Sequence, residues 1–386
     1  MYADRVLNRL RTSPWLRVAF VAVVAAFCAY GLVAEWPQAH AAMGRMDWYP
    51  VLISGLAAVA GSGCMLLAWR ALLADLGSPL PMGAATRVLS ISQLGKYLPG
   101  AVWAFAAQVE LANDYEVPRR RCATTVVTSV SVTLGVGLVM AAVALSLTSS
   151  AAAAHYWWAL ALAPLILIAL FPPVLGRIMD FALKLARRPC LERRPTGTGL
   201  AKAAAWTALG WLLWGTQAWL LLRDVTGKGF DTLVLSVGAF ALAWCAGTML
   251  VIFPGGIGPR ELALIAALAP VAPRGSALVV AIVSRLLMTV SDLLWAGTGL
   301  MIGRMLARAV RRAQRDKLAD LAQEGLLADP VLPEALQQGL LQAQTFPAEP
   351  ASAEAAPPVE HLVEHLRPHG RRVSLDRFPD PEPFPD

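Results

Sequence analysis

Six apolar runs, at 17–34, 48–69, 122–147, 156–178, 200–222 and 276–303, each reach the length at which a helix crosses a bilayer. The hydrocarbon core is about 30 Å thick and a helix rises about 1.5 Å per residue, so roughly 20 apolar residues suffice. Backbone buried in hydrocarbon must satisfy its own hydrogen bonds, which makes helices the form such runs take. Of the 386 residues, 57% are hydrophobic and only 15% charged, too few polar groups to coat a soluble fold of this size. The chain is expected to be an all-α, polytopic integral membrane protein.

The basic residues fix the expected orientation. The net charge is +7, and its Lys and Arg residues cluster beside particular spans. Arg5, Arg9, Arg11 and Arg17 precede the first run, Arg119, Arg120 and Arg121 precede the third, and Lys184, Arg187, Arg188, Arg193 and Arg194 follow the fourth. Arg304, Arg308, Arg311, Arg312 and Arg315 follow the last. The segment 35–47 holds only Arg45, and 148–155 holds neither Lys nor Arg. The excess of Lys and Arg on cytoplasmic loops then puts both termini in the cytoplasm, in a plasma-membrane protein. Trp48, Tyr49, Tyr156, Trp157 and Trp158 open the two runs that re-enter from outside, as an interfacial aromatic belt does. Ala39-His40-Ala41 offers a leader-cleavage site, but the apolar run before it is long and the first span is expected to be retained. Cys28, Cys64, Cys122, Cys190 and Cys245 form no CxxC pair, so neither a disulfide framework nor a zinc site is expected.

One further apolar stretch, Val88 to Leu111, does not behave as a span. It contains Lys96, Pro99 and Gly100, and crossing the membrane with it would put Arg119 to Arg121 outside. A re-entrant hairpin that enters and leaves on the cytoplasmic side resolves both conflicts. About ten residues before Pro99 and about twelve after Gly100 make helices of roughly 15 and 18 Å, each about half the hydrocarbon thickness. A second hairpin is expected where Thr232–Phe253 and Ile257–Val271 flank "FPGGIGPRE", this one entering from outside. Sliding Pro99-Gly100 onto Pro254-Gly255 also brings Pro118-Arg119 onto Pro273-Arg274 and the run 122–147 onto 276–303. Upstream, Leu72-Leu73-Ala74-Asp75 echoes Leu221-Leu222-Arg223-Asp224. Each half reads span, hairpin, span in opposite orientation, the inverted repeat of many secondary transporters.

"GKYLPG" at 95–100 and "PGGIGPRE" at 254–261, at this separation, resemble the transmembrane, flippase-like domain of the lysylphosphatidylglycerol synthase family over roughly residues 15–305. The resemblance implies a domain that moves a polar lipid between leaflets. In that family a separate soluble domain makes the aminoacylated lipid, and no such domain is expected here, so a separate lipid-modifying enzyme would be the partner.

The residues also carry a chemical reading of their own. A helix that begins inside the membrane directs unpaired N–H groups and the positive end of its dipole at what precedes it, which makes an anion site. Helices starting at Ala101 and near Pro259 both do this, and Gly255, Gly256 and Gly258 let backbone approach a ligand closely. Lys96 and Arg260 add full charges, and Tyr97, Pro99 and Gly100 complete the first tip. On the last span Arg285, Thr289 and Asp292 share one face, with the two charged residues too far apart along the axis to pair easily. A cation at mid-span is costly, so Arg285 should meet a cavity or a carboxylate such as Glu261 or Glu110. The expected substrate-binding set is therefore Lys96, Tyr97, Pro99, Gly100, Gly255, Gly256, Gly258, Arg260, Glu261, Arg285 and Asp292. Structural alternatives stand beside it: Lys96 snorkelling from a shallow loop, Arg260 with Glu261 as an interfacial ion pair, Arg285 and Asp292 holding helices together. Two symmetric helix breaks with three cations favour the binding site. Trp206, Trp211, Trp214 and Trp219 crowd 200–222 without forming one stripe, which points to packing or lipid contact.

The expected domains are a transmembrane unit, 1–315, and a cytoplasmic tail, 316–386. The basic stretch after Gly303 reads as a juxtamembrane helix held to anionic lipid. From Asp329 the chain turns rich in Pro, Ala and Glu and is expected to be disordered. His361-Leu362-Val363-Glu364-His365 matches an HxxEH zinc-protease pattern but lacks the folded domain and third ligand such a site needs, and Arg371-Arg372-Val373-Ser374 resembles a basophilic kinase substrate. No Walker A or Rossmann motif is present. No cofactor, metal or nucleic-acid partner and no catalytic residue is expected. The leading expectation is a flippase-like carrier of a phosphate-bearing or polyprenyl-phosphate-linked lipid. An integral membrane transferase acting on a lipid phosphate and a non-transporting scaffold are the alternatives.

Overall fold

The computed structural model describes residues 46–97, 102–148, 193–249 and 258–323, with short pieces at 40–44 and 164–180. The expected first span, 17–34, the first part of 156–178, and the tail beyond 323 with its HxxEH and kinase motifs lie outside the described residues. The elements are α1 (Trp48–Asp75), α2 (Met82–Gln93), a 3-10 turn η1 (Leu94–Tyr97), α3 (Val102–Asn113), α4 (Arg119–Thr148), α5 (Gly197–Thr226), η2 (Phe230–Thr232), α6 (Leu233–Met249), α7 (Pro259–Leu268) and α8 (Arg274–Gln323). The protein is all-α and polytopic, and no strand occurs among the described residues. The chain divides into two units, 1–304 and 305–386; the described part of the second is the end of α8.

Among the described residues four segments are long and apolar enough to cross a membrane: Trp48–Asp75, Arg119–Leu147, Phe230–Met249 and Arg274–Met305. Three coincide with expected spans. The expected span 200–222 is a helix, α5, but does not pass the same test, because Lys202, Gln217 and its tryptophans dilute its hydropathy. Conversely Phe230–Met249, read from sequence as one limb of a hairpin, is by length and composition a candidate span. Pro254 sets the end of that apolar run in the sequence, and the run before it is longer than the one before Pro99.

The frame of the molecule is an antiparallel pair, α1 against α5, tied at both ends. At one end the Asp75 carboxylate accepts the backbone N–H of Thr196 (2.7 Å) and its hydroxyl, at the start of α5. At the other end the Asp224 carboxylate accepts the backbone N–H of Asp47 (2.9 Å), at the start of α1. Asp75 and Asp224 are the residues that correspond in the two sequence echoes, and each satisfies a helix start in the opposite half. The leucines before them, Leu72, Leu73, Leu221 and Leu222, are all fully buried. Between the ends the two helices close on small residues. A Cβ on Gly61 would fall 2.5 Å from the Trp214 ring and 3.2 Å from the Gly210 carbonyl oxygen, so neither helix can approach as closely with a larger residue there. Trp214 donates from its indole to the Ala58 carbonyl (3.2 Å), which lets a buried tryptophan keep its polar atom bonded.

Each half carries a further helix pair on this frame, α2 with α3 and α6 with α7. Val88 of α2 and Ala112 of α3 are buried with Leu66 and Trp69 of α1, Val117 of the following connection and Cys122 of α4, and α2 packs on α3. Leu264 and Leu268 of α7 pack with Leu221, Ala239, Ala243 and Val280 in a matching cluster of the second half. Trp211, Trp214, Phe240 and Met288 of the second half pack with Ala58 and Ala141 of the first, which joins the halves. Trp211, Trp214 and Trp219 thus serve packing, while Trp206 is exposed. Cys64, Cys122 and Cys245 are buried free thiols. Along α8 the pattern is that of a lipid-facing helix: Leu286, Val290, Leu293 and Leu294 are exposed, whereas Ser284, Ser291 and Asp292 are buried.

Candidate functional site

The site is assembled from three places in unit 1–304: the turn after α2, the start of α7, and the inward face of α8. At the first, the α-helix tightens into η1, which carries Lys96 and Tyr97. Gly95 lets α3 approach this turn closely, since a Cβ there would fall 2.7 Å from the backbone nitrogen of Ala104 at the start of α3. The two functional groups of η1 converge on one atom. Lys96 Nζ lies 2.7 Å from Asp292 Oδ2, and the Tyr97 hydroxyl donates to the same oxygen at 2.6 Å. The Asp292 side chain is 9% exposed and that of Lys96 33%, so the carboxylate is the buried member of the pair. Lys96 Nζ also sits 5.5 Å from the centre of the Tyr97 ring.

At the second place Gly258 adopts φ 97°, a conformation open to glycine, and turns the chain into α7 with Pro259 at the first helical position. Glu261 reaches back, its Oε2 accepting the Gly258 N–H at 2.7 Å, while its Oε1 faces Arg285 Nε at 3.8 Å. Both side chains are largely buried, at 13% and 19% exposure. Arg260 lays its guanidinium over the Phe240 ring, 4.8 Å from the centroid. Its Nη2 is buried and has no hydrogen-bond partner among the described residues. Arg260 nonetheless lies within electrostatic reach of Arg285, Glu261, Asp292 and Tyr97, and Lys96 within reach of both arginines, so these groups form one cluster.

The structure thus brings together seven of the eleven residues singled out from the sequence: Lys96, Tyr97, Gly258, Arg260, Glu261, Arg285 and Asp292. Pro99, Gly100, Gly255 and Gly256 lie outside the described residues. Of the two carboxylates offered for Arg285, the structure selects Glu261; Glu110 pairs with Arg119 at 2.9 Å on the surface. The Lys96–Asp292 pair was not legible, because nothing local in either segment points to the other. Phe240 was missed as well, being one more apolar residue in an apolar helix. Beside η1, Leu94, Gly95, Trp103, Ala106, Ala107 and Glu110 line a groove of about 650 Å³.

A helical membrane protein with charged groups from the turn η1, the short helix α7 and the long helix α8 gathered into one cluster is the class that fold and site define. The lysylphosphatidylglycerol synthase TM region family model matches residues 15–296, and the chain belongs to that family. Membership ties it to a membrane-lipid-related function. Among curated proteins none matches the chain.

Proposed function

We propose that this protein is a flippase-like lipid transporter that carries a phosphate-bearing polar lipid, or a polyprenyl-phosphate-linked one, between leaflets. The observation that carries the reading is the cluster itself: Lys96, Arg260 and Arg285 gathered with only two carboxylates among the described residues, so that positive charge is in excess where apolar helices surround it. Buried cations without equal countercharge are expensive in such surroundings, and a ligand phosphate supplies what is missing. In this reading α2 with α3 and α6 with α7 are re-entrant hairpins whose tips, including Pro99-Gly100 and Gly255-Gly256, meet at mid-depth. The headgroup sits at the tips, and the acyl or prenyl chains stay in the bilayer along the apolar groove beside η1. Both termini face the cytoplasm of a plasma-membrane protein. The arginines after Gly303 bind anionic lipid, and a separate enzyme modifies the lipid carried.

Reconstitution of the full chain with a panel of labelled lipids tests this. Leaflet exchange without a chemical product is the expected result. A modified lipid would make the protein a transferase, and neither exchange nor product would leave a scaffold.

A further inference from the structure

The charge count of the site defines the headgroup more closely than its shape does. Among the described residues the cluster holds three cations, Lys96, Arg260 and Arg285, and two carboxylates, Asp292 and Glu261. The adjoining segments 98–101 and 250–257, outside the described residues, contain no ionisable side chain to add to this sum. Lys96 is held by Asp292 and Arg285 by Glu261, which leaves the charge of Arg260 as the surplus. Its guanidinium lies over the face of Phe240, within electrostatic reach of both carboxylates but hydrogen-bonded through Nη2 to neither, and that Nη2 has capacity unused among the described residues.

We infer that the site takes a single phosphodiester monoanion, with Arg260 as the group that holds it, and rejects phosphomonoester dianions and diphosphates. The inference rests on the transport reading above and names the class of lipid within it. One negative charge brings the cluster to neutrality. A second leaves it as unbalanced as before but with the opposite sign, in surroundings that solvate charge poorly and beside two carboxylates that repel it. A glycerophospholipid and a polyprenyl-monophosphate sugar share the accepted chemistry, since both are phosphodiesters.

The test uses the full chain purified in detergent and presented with an equimolar mixture at pH 8, about two units above a phosphomonoester's second pKa of about 6. The mixture contains phosphatidylglycerol, phosphatidic acid with the same acyl chains, and a polyprenyl-monophosphate and a polyprenyl-diphosphate sugar with the same tail. Mass spectrometry of the retained lipid reads selection, and leaflet exchange of each labelled lipid in proteoliposomes reads transport. The two phosphodiesters are expected to be retained at least tenfold over their partners, and whichever exchanges identifies the tail. Glu261→Gln keeps an oxygen for the Gly258 N–H but removes one negative charge, and it should narrow the preference at least threefold by admitting the dianion. Asp292→Asn, which keeps an acceptor for Tyr97, should do the same and serves if the first variant does not fold. Equal retention of monoanion and dianion by the wild type, or a preference as large in the folded variants as in the wild type, overturns the inference. Selective retention without exchange of any lipid upholds charge selection and refutes transport; equal exchange of every class upholds transport and refutes charge selection.

Discussion

Removing Lys96 should cost stability, and removing Asp292 with it should restore most of the loss. The two charges are 2.7 Å apart, which at an effective dielectric of about 20 corresponds to an attraction of about 6 kcal/mol before the cost of burying them. In Lys96→Met the Asp292 carboxylate, 9% exposed, keeps only the Tyr97 hydroxyl and the more distant arginines. Breaking a buried pair costs about 3–5 kcal/mol, and the one-third exposure of Lys96 screens the interaction, so about 2–3 kcal/mol is expected. In the double variant, Lys96→Met with Asp292→Asn, the introduced amide still accepts from Tyr97 and no charge is stranded beside the introduced thioether. About 2 kcal/mol should therefore be recovered as coupling energy. Reversible unfolding in bicelles, carried out on the wild type, both single variants and the double, measures that coupling directly. A Lys96→Met protein as stable as the wild type, or a coupling below about 0.5 kcal/mol, would refute the pairing.

Three other outcomes follow from the same structure. Arg285→Met strands Glu261, but the longer 3.8 Å contact and the retained Gly258 N–H soften the effect, so a loss of about 1–2 kcal/mol by the same unfolding assay is expected. Asp75→Ala and Asp224→Ala each remove the charged acceptor of a backbone N–H at a helix start in the opposite half and should cost about 1 kcal/mol apiece. Because they act at opposite ends of the α1–α5 pair, their costs should add. Arg120→Cys, in a cysteine-free background, should resist a membrane-impermeant thiol reagent in intact cells, as a cytoplasmic residue does; labelling would reverse the proposed orientation.

The sequence yielded the helices well because lipid imposes so simple a rule on them. The runs 48–69, 122–147, 200–222 and 276–303 all fall inside observed helices, for length and apolarity are local properties. The echo of Asp75 in Asp224 was equally legible, and the structure gives both residues the same task. Charge inside apolar stretches was readable too, since Lys96, Arg260 and Arg285 interrupt them, and a cation there is costly unless it faces a cavity or a partner. Partners were harder. Lys96 meets Asp292 through the packing of η1 on α8, and Arg260 meets Phe240 through that of α7 on α6, contacts that no periodicity encodes. The limb expected over Thr232–Phe253 is the helix α6, Leu233–Met249, and its apolar length, which sequence alone already carried, also makes it a candidate span.

Arg260 offers the most direct test of a phosphate site in this cluster. Its contact with Phe240 is worth about 0.5–2 kcal/mol, and its buried Nη2 has no protein partner to strand among the described residues. Arg260→Met should therefore fold with near wild-type stability. Leaflet exchange of labelled phosphatidylglycerol by wild-type and Arg260→Met protein in matched proteoliposomes is the decisive comparison. At least a tenfold slower exchange by the stable variant is the predicted result, and exchange at the wild-type rate would contradict the account.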